Sequence, residues 1–165
     1  MYYKILASLF ALSVFFNGYC YALDPVLNNI REPNFGDIVF IPGSCRLNYA
    51  SGEVTDLGGS NTCVDGTTGL VGKYNIIANA ERQVSIKILQ RDNEGDNLLF
   101  IPEGELVSSF ETIVITPNVA QQINSGATGV ITINLGGRLY VNQFLTPSTN
   151  YTLTKIDGIE WSELP

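Results

Sequence analysis

The strongest constraint on the fold lies in residues 128–142, T-G-V-I-T-I-N-L-G-G-R-L-Y-V-N, where apolar and polar residues alternate on both sides of Gly136 and Gly137. A period of two is typical of a β-strand with one buried face, and Leu139 and Val141 continue it after the glycines. Paired glycines supply the positive φ angles that tight turns need. We therefore expect a β-hairpin that turns at Gly136 and Gly137.

Short segments of the same kind recur along the rest of the chain, separated by Gly, Pro, Asn and Asp. They are spaced by about ten residues, and no window shows a sustained helical period, which predicts an antiparallel β-sandwich or barrel. The other expected strands are an edge strand at residues 26–30 and strands at 35–41, 44–49, 53–57, 69–79, 83–90, 98–101 (ended by Pro102), 106–116 (with Val107, Phe110, Ile113 and Ile115 in the core) and 150–156. Residues 119–123 fit either one helical turn or a strand.

The first 22 residues have the features of a secretory signal peptide. Lys4 precedes an apolar run over residues 5–16, and Ala22 is the small residue that signal peptidase favours. The run is shorter than the about 20 residues of a membrane span, and a membrane anchor is the alternative. We expect cleavage before Leu23, which leaves residues 23–165 for a single compact domain.

The charge of the mature chain excludes some classes of partner. Removal of Lys4 leaves eight basic side chains against sixteen acidic ones, a net charge of −8. An acidic surface repels phosphate backbones and anionic lipids, so we expect neither nucleic acid nor a membrane surface as partner. The chain also contains no histidine, which removes Ser-His-Asp and Cys-His catalysis and the common zinc sites.

Two cysteines, Cys45 and Cys63, remain after Cys20 is removed with the signal peptide. In an exported chain such a pair predicts a disulfide, worth about 3 kcal/mol in the chain-entropy model. A metal or redox pair is the alternative, but the spacing is not C-x-x-C.

Two acidic segments are candidates for chemistry. Glu103 and Glu105 flank a glycine, so in an extended chain both point to the same side, as a pair of glycosidase carboxylates requires. A solvated acidic turn is the simpler interpretation. Residues 92–97, D-N-E-G-D-N, resemble a calcium loop but have Ile101 where the bidentate glutamate belongs, which favours a hairpin turn. Asn150 begins an N-glycosylation acceptor, Asn-Tyr-Thr.

Four segments together resemble the secreted bacterial family known as domain of unknown function 4402. They are the F-G-x-I opening at Phe35 and Gly36, the early cysteine pair, residues 72–77, and the G-G-x-L-x-V run at residues 136–141. The resemblance implies a protein exported by Gram-negative bacteria, with a pilin-like sandwich of the immunoglobulin type. It brings no catalytic residue, and we expect no cofactor and no metal.

Two classes of function follow. The first is a non-enzymatic structural or adhesive protein of the periplasm, cell surface or medium, including a pilin-like subunit that contacts other subunits through sheet edges. Residues 23–34 alternate poorly, which argues against strand donation. The alternative is a glycan or small-ligand binding module that uses exposed aromatic side chains. The candidate aromatic side chains are Tyr49, Tyr74, Tyr140 and Trp161.

Overall fold

The structure, a computed structural model, describes residues 24–39, 41–64, 66–93, 97–144 and 158–165. Within these residues the chain forms eleven strands, which confirms the all-β prediction. They are β1 (Val26–Arg31), β2 (Gly43–Leu47), β3 (Val54–Asp56), β4 (Gly72–Ile77), β5 (Gln83–Ile88), β6 (Arg91–Asn93), β7 (Leu98–Val107), β8 (Thr112–Val114), β9 (Ala120–Asn124), β10 (Val130–Val141) and β11 (Ile159–Glu163). The predicted signal peptide, the strand at 150–156 and the acceptor at Asn150 lie outside the described residues.

The strands form two antiparallel sheets packed as a sandwich. The larger sheet has eight strands in the order β1-β4-β10-β2-β3, with β7 pairing to the other side of β10 and carrying β6 and β8. The smaller sheet has the order β11-β5-β9. The central strand β10 is the longest, and it contacts three of the other seven strands in its sheet, namely β2, β4 and β7.

The hairpin predicted at Gly136 and Gly137 is wrong, because both glycines lie inside the continuous strand β10. Its register against β7 is constant from the pair Thr132 and Val107 to the pair Val141 and Leu98. On its other side β10 exchanges partners at the glycines. Residues 130–135 pair with β4, and residues 137–141 pair with β2.

The glycines are needed for close approach of other backbone segments. A Cβ at Gly136 would lie 2.2 Å from the carbonyl oxygen of Leu47 and 2.8 Å from the backbone nitrogen of Tyr49. A Cβ at Gly137, where φ is +146°, would lie 2.4 Å from the carbonyl oxygen of Ile101. Paired glycines therefore allow either a turn or a crossing of chains, and the local pattern cannot distinguish the two.

The crossing occurs on the face of the larger sheet that points away from the core, which we call the outer face. Alternate residues of β10 are buried at Ile133 and Leu135, so Asn134, Gly136 and Arg138 belong to the outer face. Gly136 is nevertheless buried, because residues 47–49 leave the end of β2 and pass against it. We call residues 47–49 the crossing segment; it brings Tyr49 onto the outer face.

Two hydrophobic clusters meet along β10. The first fills the space between the two sheets and takes Ile131, Ile133 and Leu135 from β10. The second takes Leu139 and Val141. It also contains the predicted disulfide, which is confirmed: Cys45 and Cys63 are bonded, with their Cα atoms 5.9 Å apart and both side chains buried. In the same cluster Phe35 meets Phe100 edge to face, at 6.0 Å between ring centroids.

The predicted strand at residues 35–41 is wrong for the described residues 35–39 and 41. A single isolated bridge forms in these residues, between Ile38 and Cys63. Phe35 is buried in the second cluster, and the backbone of Gly36 adopts a φ of +72°, which bends the chain out of an extended path.

The predicted end of a strand at Pro102 is also wrong, because β7 runs through it to Val107. The carbonyl oxygen of Gly104 accepts a hydrogen bond from the backbone N–H of Ile115, on the side of β7 where β8 pairs. The backbone nitrogen of Pro102, two residues before Gly104, points to the same side of the strand. It lies in the gap between the segments of β7 that pair with β6 and with β8. Its missing N–H therefore removes no hydrogen bond from the sheet.

The predicted strand at residues 106–116 is broken by a turn between β7 and β8. The hydroxyl oxygen of Ser108 accepts from the backbone N–H groups of Phe110 and Glu111, both at 3.1 Å, and so stabilises the turn. Phe110, predicted to be in the core, is 73% exposed at the turn. Residues 119–123, for which a helical turn or a strand was expected, contribute to strand β9.

Replacement of Gly136 by alanine tests the crossing directly. Because the added Cβ would meet backbone atoms that cannot rotate away, we expect the free energy of unfolding to fall by about 3 kcal/mol in urea titrations. Gly158→Ala is the control, since its nearest neighbour would be at 3.6 Å, and a change within about 0.5 kcal/mol is expected. Equal effects of the two substitutions would contradict the crossing.

Candidate functional site

A row of four polar side chains crosses the outer face. Sheet register places Arg31 of β1 opposite Lys73 of β4, Lys73 opposite Asn134 of β10, and Asn134 opposite Glu105 of β7. The Asn134 side-chain amide donates to a carboxylate oxygen of Glu105 at 2.9 Å. The row therefore joins four strands that are far apart in sequence.

A β-bulge brings Arg31 into this row. Asn29 pairs with Tyr74, and the next pair is Arg31 with Lys73, so Ile30 is an extra residue in β1. A regular strand would place Ile30 opposite Lys73. The bulge thus replaces an apolar side chain with a guanidinium on the outer face.

A groove of about 490 Å³ lies between this row and two loops. Its walls include Tyr49 at the end of the crossing segment, the loop residues 50–52 and residues 68–71 before β4. Arg31, Lys73, Asn134 and Glu105 also line the groove. The groove thus combines an aromatic ring, two cations, an amide and a carboxylate.

In the part of the chain that the structure describes, neither cation of the groove has a carboxylate partner. The Nε of Arg31 donates to the carbonyl oxygen of Val71 at 2.7 Å, which anchors the side chain beside the groove. The Lys73 side chain is exposed. Among the described residues, no carboxylate lies within 4.0 Å of a side-chain nitrogen of either residue. Two positive charges that no described carboxylate compensates therefore lie beside an open groove.

A second charged cluster lies beyond the crossing segment. Arg46 of β2 and Arg138 of β10 are directly opposite each other, and Glu103 of β7 binds both. The two Nε to carboxylate distances are 2.7 and 2.6 Å. A hydrogen bond with Tyr140 and the charge of Glu103 raise the pKa of Arg138 above its ordinary value. The cluster ties three strands together.

The structure confirms that Glu103 and Glu105 point to the same side. Both lie on the outer face of β7, on either side of Gly104. Their partners differ, because Glu103 binds two arginines and Glu105 binds Asn134. A glycosidase pair needs two carboxylates that face each other across a cleft. Glu103 and Glu105 are neighbours on one strand and do not face each other.

The four aromatic candidates lie in different surroundings. Tyr74 is buried, its hydroxyl donates to Glu32, and burial raises its pKa far above the ordinary value. Trp161 packs against the first cluster and donates from its indole nitrogen to the carbonyl oxygen of Pro25 at 2.8 Å. Tyr140 is half-buried on the outer face, and Tyr49 lines the groove.

The residues of the proposed family motif serve the fold. Phe35, Leu139 and Val141 are buried in the second cluster, and Gly136 and Gly137 permit the close approaches described above. Of the calcium candidate, residues 94–96 lie outside the described part of the chain. In that part no group of three His, Cys, Asp or Glu side chains is arranged to hold a metal ion.

Sequence reasoning missed Arg31, Lys73 and Asn134 as members of one site. The alternation in β10 indicates that Asn134 shares a face with Arg138, and this is the only local signal for the site. The register between β1, β4, β10 and β7 depends on pairings between residues far apart in the sequence, 61 positions in the case of Lys73 and Asn134.

No protein-family model, curated protein or solved structure matches the chain. The resemblance to domain of unknown function 4402 stays a prediction. Within the described residues, no helix has the length and apolarity needed to cross a membrane.

Glu103→Gln tests the second charged cluster. The substitution leaves Arg46 and Arg138 opposed without a carboxylate, so we expect the free energy of unfolding to fall by about 1 kcal/mol at low salt and by less as the salt concentration rises.

Glu160→Gln is the matched control for that substitution, since Glu160 pairs with the single cation Lys87 at 3.1 Å and is 55% exposed. A change of about 0.3 kcal/mol is expected there. A loss for Glu103→Gln that matches the control, or that does not depend on salt, would show that the cluster contributes nothing specific.

Proposed function

We propose that this chain is an exported, non-enzymatic β-sandwich that acts as an adhesive protein of the bacterial periplasm or cell surface. We further propose that the groove on the outer face is its binding site, with a saccharide as the ligand. The observation that carries the proposal is the position of Tyr49 beside the polar row of Arg31, Lys73, Asn134 and Glu105.

The chemistry of the groove suits a sugar. Aromatic side chains offer an apolar surface for the C–H face of a pyranose ring, and a few fixed polar groups then set its orientation. Glu105 accepts hydrogen bonds from hydroxyl groups, and the amide oxygen of Asn134 does the same. Because Asn134 and Glu105 already bind each other, their side chains are held in place before a ligand arrives.

Two features support a role without catalysis. The carboxylate of Glu103 is occupied by Arg46 and Arg138, so it is not available as an acid or a base. Among the described residues that line the groove, Glu105 is the one carboxylate. A groove with this lining holds a ligand and offers no pair of groups to break a glycosidic bond.

Export is supported by the disulfide between Cys45 and Cys63. Such bonds form and persist in oxidising compartments and are rare in the cytosol. The bond lies in the second hydrophobic cluster, against the strand that carries the groove. It agrees with the signal peptide predicted over residues 1–22.

Binding to immobilised saccharides tests this function. The mature protein should bind at least one class of glycan on an array, and Tyr49→Ala should weaken that binding about tenfold, since an aromatic contact contributes up to about 1.5 kcal/mol. Tyr140→Ala is the control, because Tyr140 lies beyond the crossing segment and does not line the groove. If the folded protein binds no glycan, the proposed function is wrong.

The edge strand β1 supports a second candidate, assembly with other subunits. Five of its six residues are exposed, including Val26 and Ile30, and its outer edge has no neighbouring strand in the described part of the sheet. An added strand from another chain would pair there. Against this, β1 already completes the sheet from within its own chain.

The two candidates differ in the expected mass of the protein. Because β1 pairs with its own β4, we expect a monomer by analytical ultracentrifugation over a wide range of concentration. A concentration-dependent ladder of polymers, abolished by Ile30→Lys but retained in the control Val119→Lys, would favour the structural subunit. Both substituted side chains are about half exposed.

A further inference from the structure

The basic side chains of this acidic protein are concentrated on one face. Seven of them belong to the described residues, and four of these lie on the outer face of the larger sheet. These four are Arg31, Lys73, Arg46 and Arg138. Strand register, and in the case of Arg31 a bulge, collects them from four separate parts of the sequence.

The four residues form two pairs of like charges. Arg31 is directly opposite Lys73, and Arg46 is directly opposite Arg138. Like charges in directly opposite positions of a sheet repel each other, and an anion that binds both of them removes that repulsion. The crossing segment separates the two pairs along β10, because its close approach is at Gly136, between Asn134 and Arg138.

The two pairs differ in how their charge is compensated. Glu103 supplies a carboxylate to Arg46 and Arg138, with bonds of 2.7 and 2.6 Å. The pair that lines the groove has no such carboxylate within 4.0 Å among the described residues. Glu105 lies in the same row, but Asn134 stands between it and Lys73. Within the described residues, the groove therefore has no anion equivalent to the Glu103 carboxylate that binds Arg46 and Arg138.

We infer that the ligand supplies this anion, and that the groove selects an acidic saccharide whose carboxylate binds between Arg31 and Lys73. The inference rests on the proposed function and specifies its ligand. Tyr49 contacts the sugar ring, and Asn134 and Glu105 bind its hydroxyl groups. Guanidinium and ammonium groups form charge-assisted hydrogen bonds with carboxylates, which are about twice as strong as neutral ones.

The charge of the protein and the fixed position of Arg31 both favour selective binding of an acidic ligand in the groove. The net charge of −7 for the whole chain opposes non-specific attraction of anions, so an acidic ligand is held only where cations are gathered. Arg31 is fixed by its bond to the carbonyl of Val71, and this lowers the entropy lost when its guanidinium binds.

The test compares acids with uncharged ligands of the same shape. The probes are hexa-galacturonate and sialyl-lactose, each beside its methyl ester, with calorimetry or biolayer interferometry as the measurement. We expect at least one acid to bind, its ester to bind at least tenfold more weakly, and the affinity for the acid to fall as salt is added.

Substitutions in the groove test whether its two cations cause the preference for the acid over the ester. Arg31→Gln and Lys73→Gln should each weaken binding of the acid about tenfold and weaken binding of the ester by less than that, so that the preference for the acid falls, while Lys73→Arg should retain the preference for the acid. Lys87→Gln is the matched control, since it removes one cation from the smaller sheet. All variants should unfold at temperatures close to that of the unchanged protein.

Each outcome separates this inference from the proposed function. Equal binding of acid and ester, binding of neutral saccharides alone on the array, or unchanged affinity in Arg31→Gln and Lys73→Gln would overturn the acidic ligand and leave saccharide binding in place. Absence of binding to every saccharide tested would overturn both.

Discussion

The close approach of two chain segments at Gly136 is the contact on which the rest of the structure depends. Because Gly136 has no side chain, residues 47–49 can leave β2 and pass over β10, and β4 occupies the position beside β10 that β2 vacates. One strand can then serve two hydrophobic clusters, one on each side of the crossing. The same crossing brings Tyr49 to the outer face and forms one wall of the groove.

The outer face carries two pairs of like charges, which differ in whether a described carboxylate binds them. Arg46 and Arg138 are neutralised by Glu103, and this arrangement joins β2, β10 and β7 close to the disulfide-containing cluster. Arg31 and Lys73 are held in an equally close register and have no carboxylate from the described part of the chain. Arg46 and Arg138, bound by Glu103, contribute to stability. Arg31 and Lys73 lie at the surface, where solvent screening keeps the repulsion between them small. The bulge in β1 is what places Arg31 opposite Lys73.

Much of the fold follows from local patterns in the sequence, because alternation reports which side chains are buried. It predicted the all-β class, the strands around Cys45 and Val84, and the shared direction of Glu103 and Glu105. The disulfide followed from composition and export. The errors arose where a local signal has two meanings: paired glycines permit a turn or a crossing, and Pro102 ends a strand unless its nitrogen points to a gap. The site itself was beyond prediction, because register and the bulge at Ile30 come from long-range pairing.

The most direct test of the central claim, that the crossing at Gly136 creates a ligand site on the outer face, is a map of backbone amide shifts by NMR. Nitrogen-labelled protein would be titrated with the acidic saccharide that binds most tightly. The shifts should be confined to Arg31, Tyr49, Lys73, Asn134, Glu105 and their neighbours in the loops of the groove, with the β11-β5-β9 sheet unchanged. Shifts confined to the smaller sheet, or to the free edge of β1, would contradict the claim.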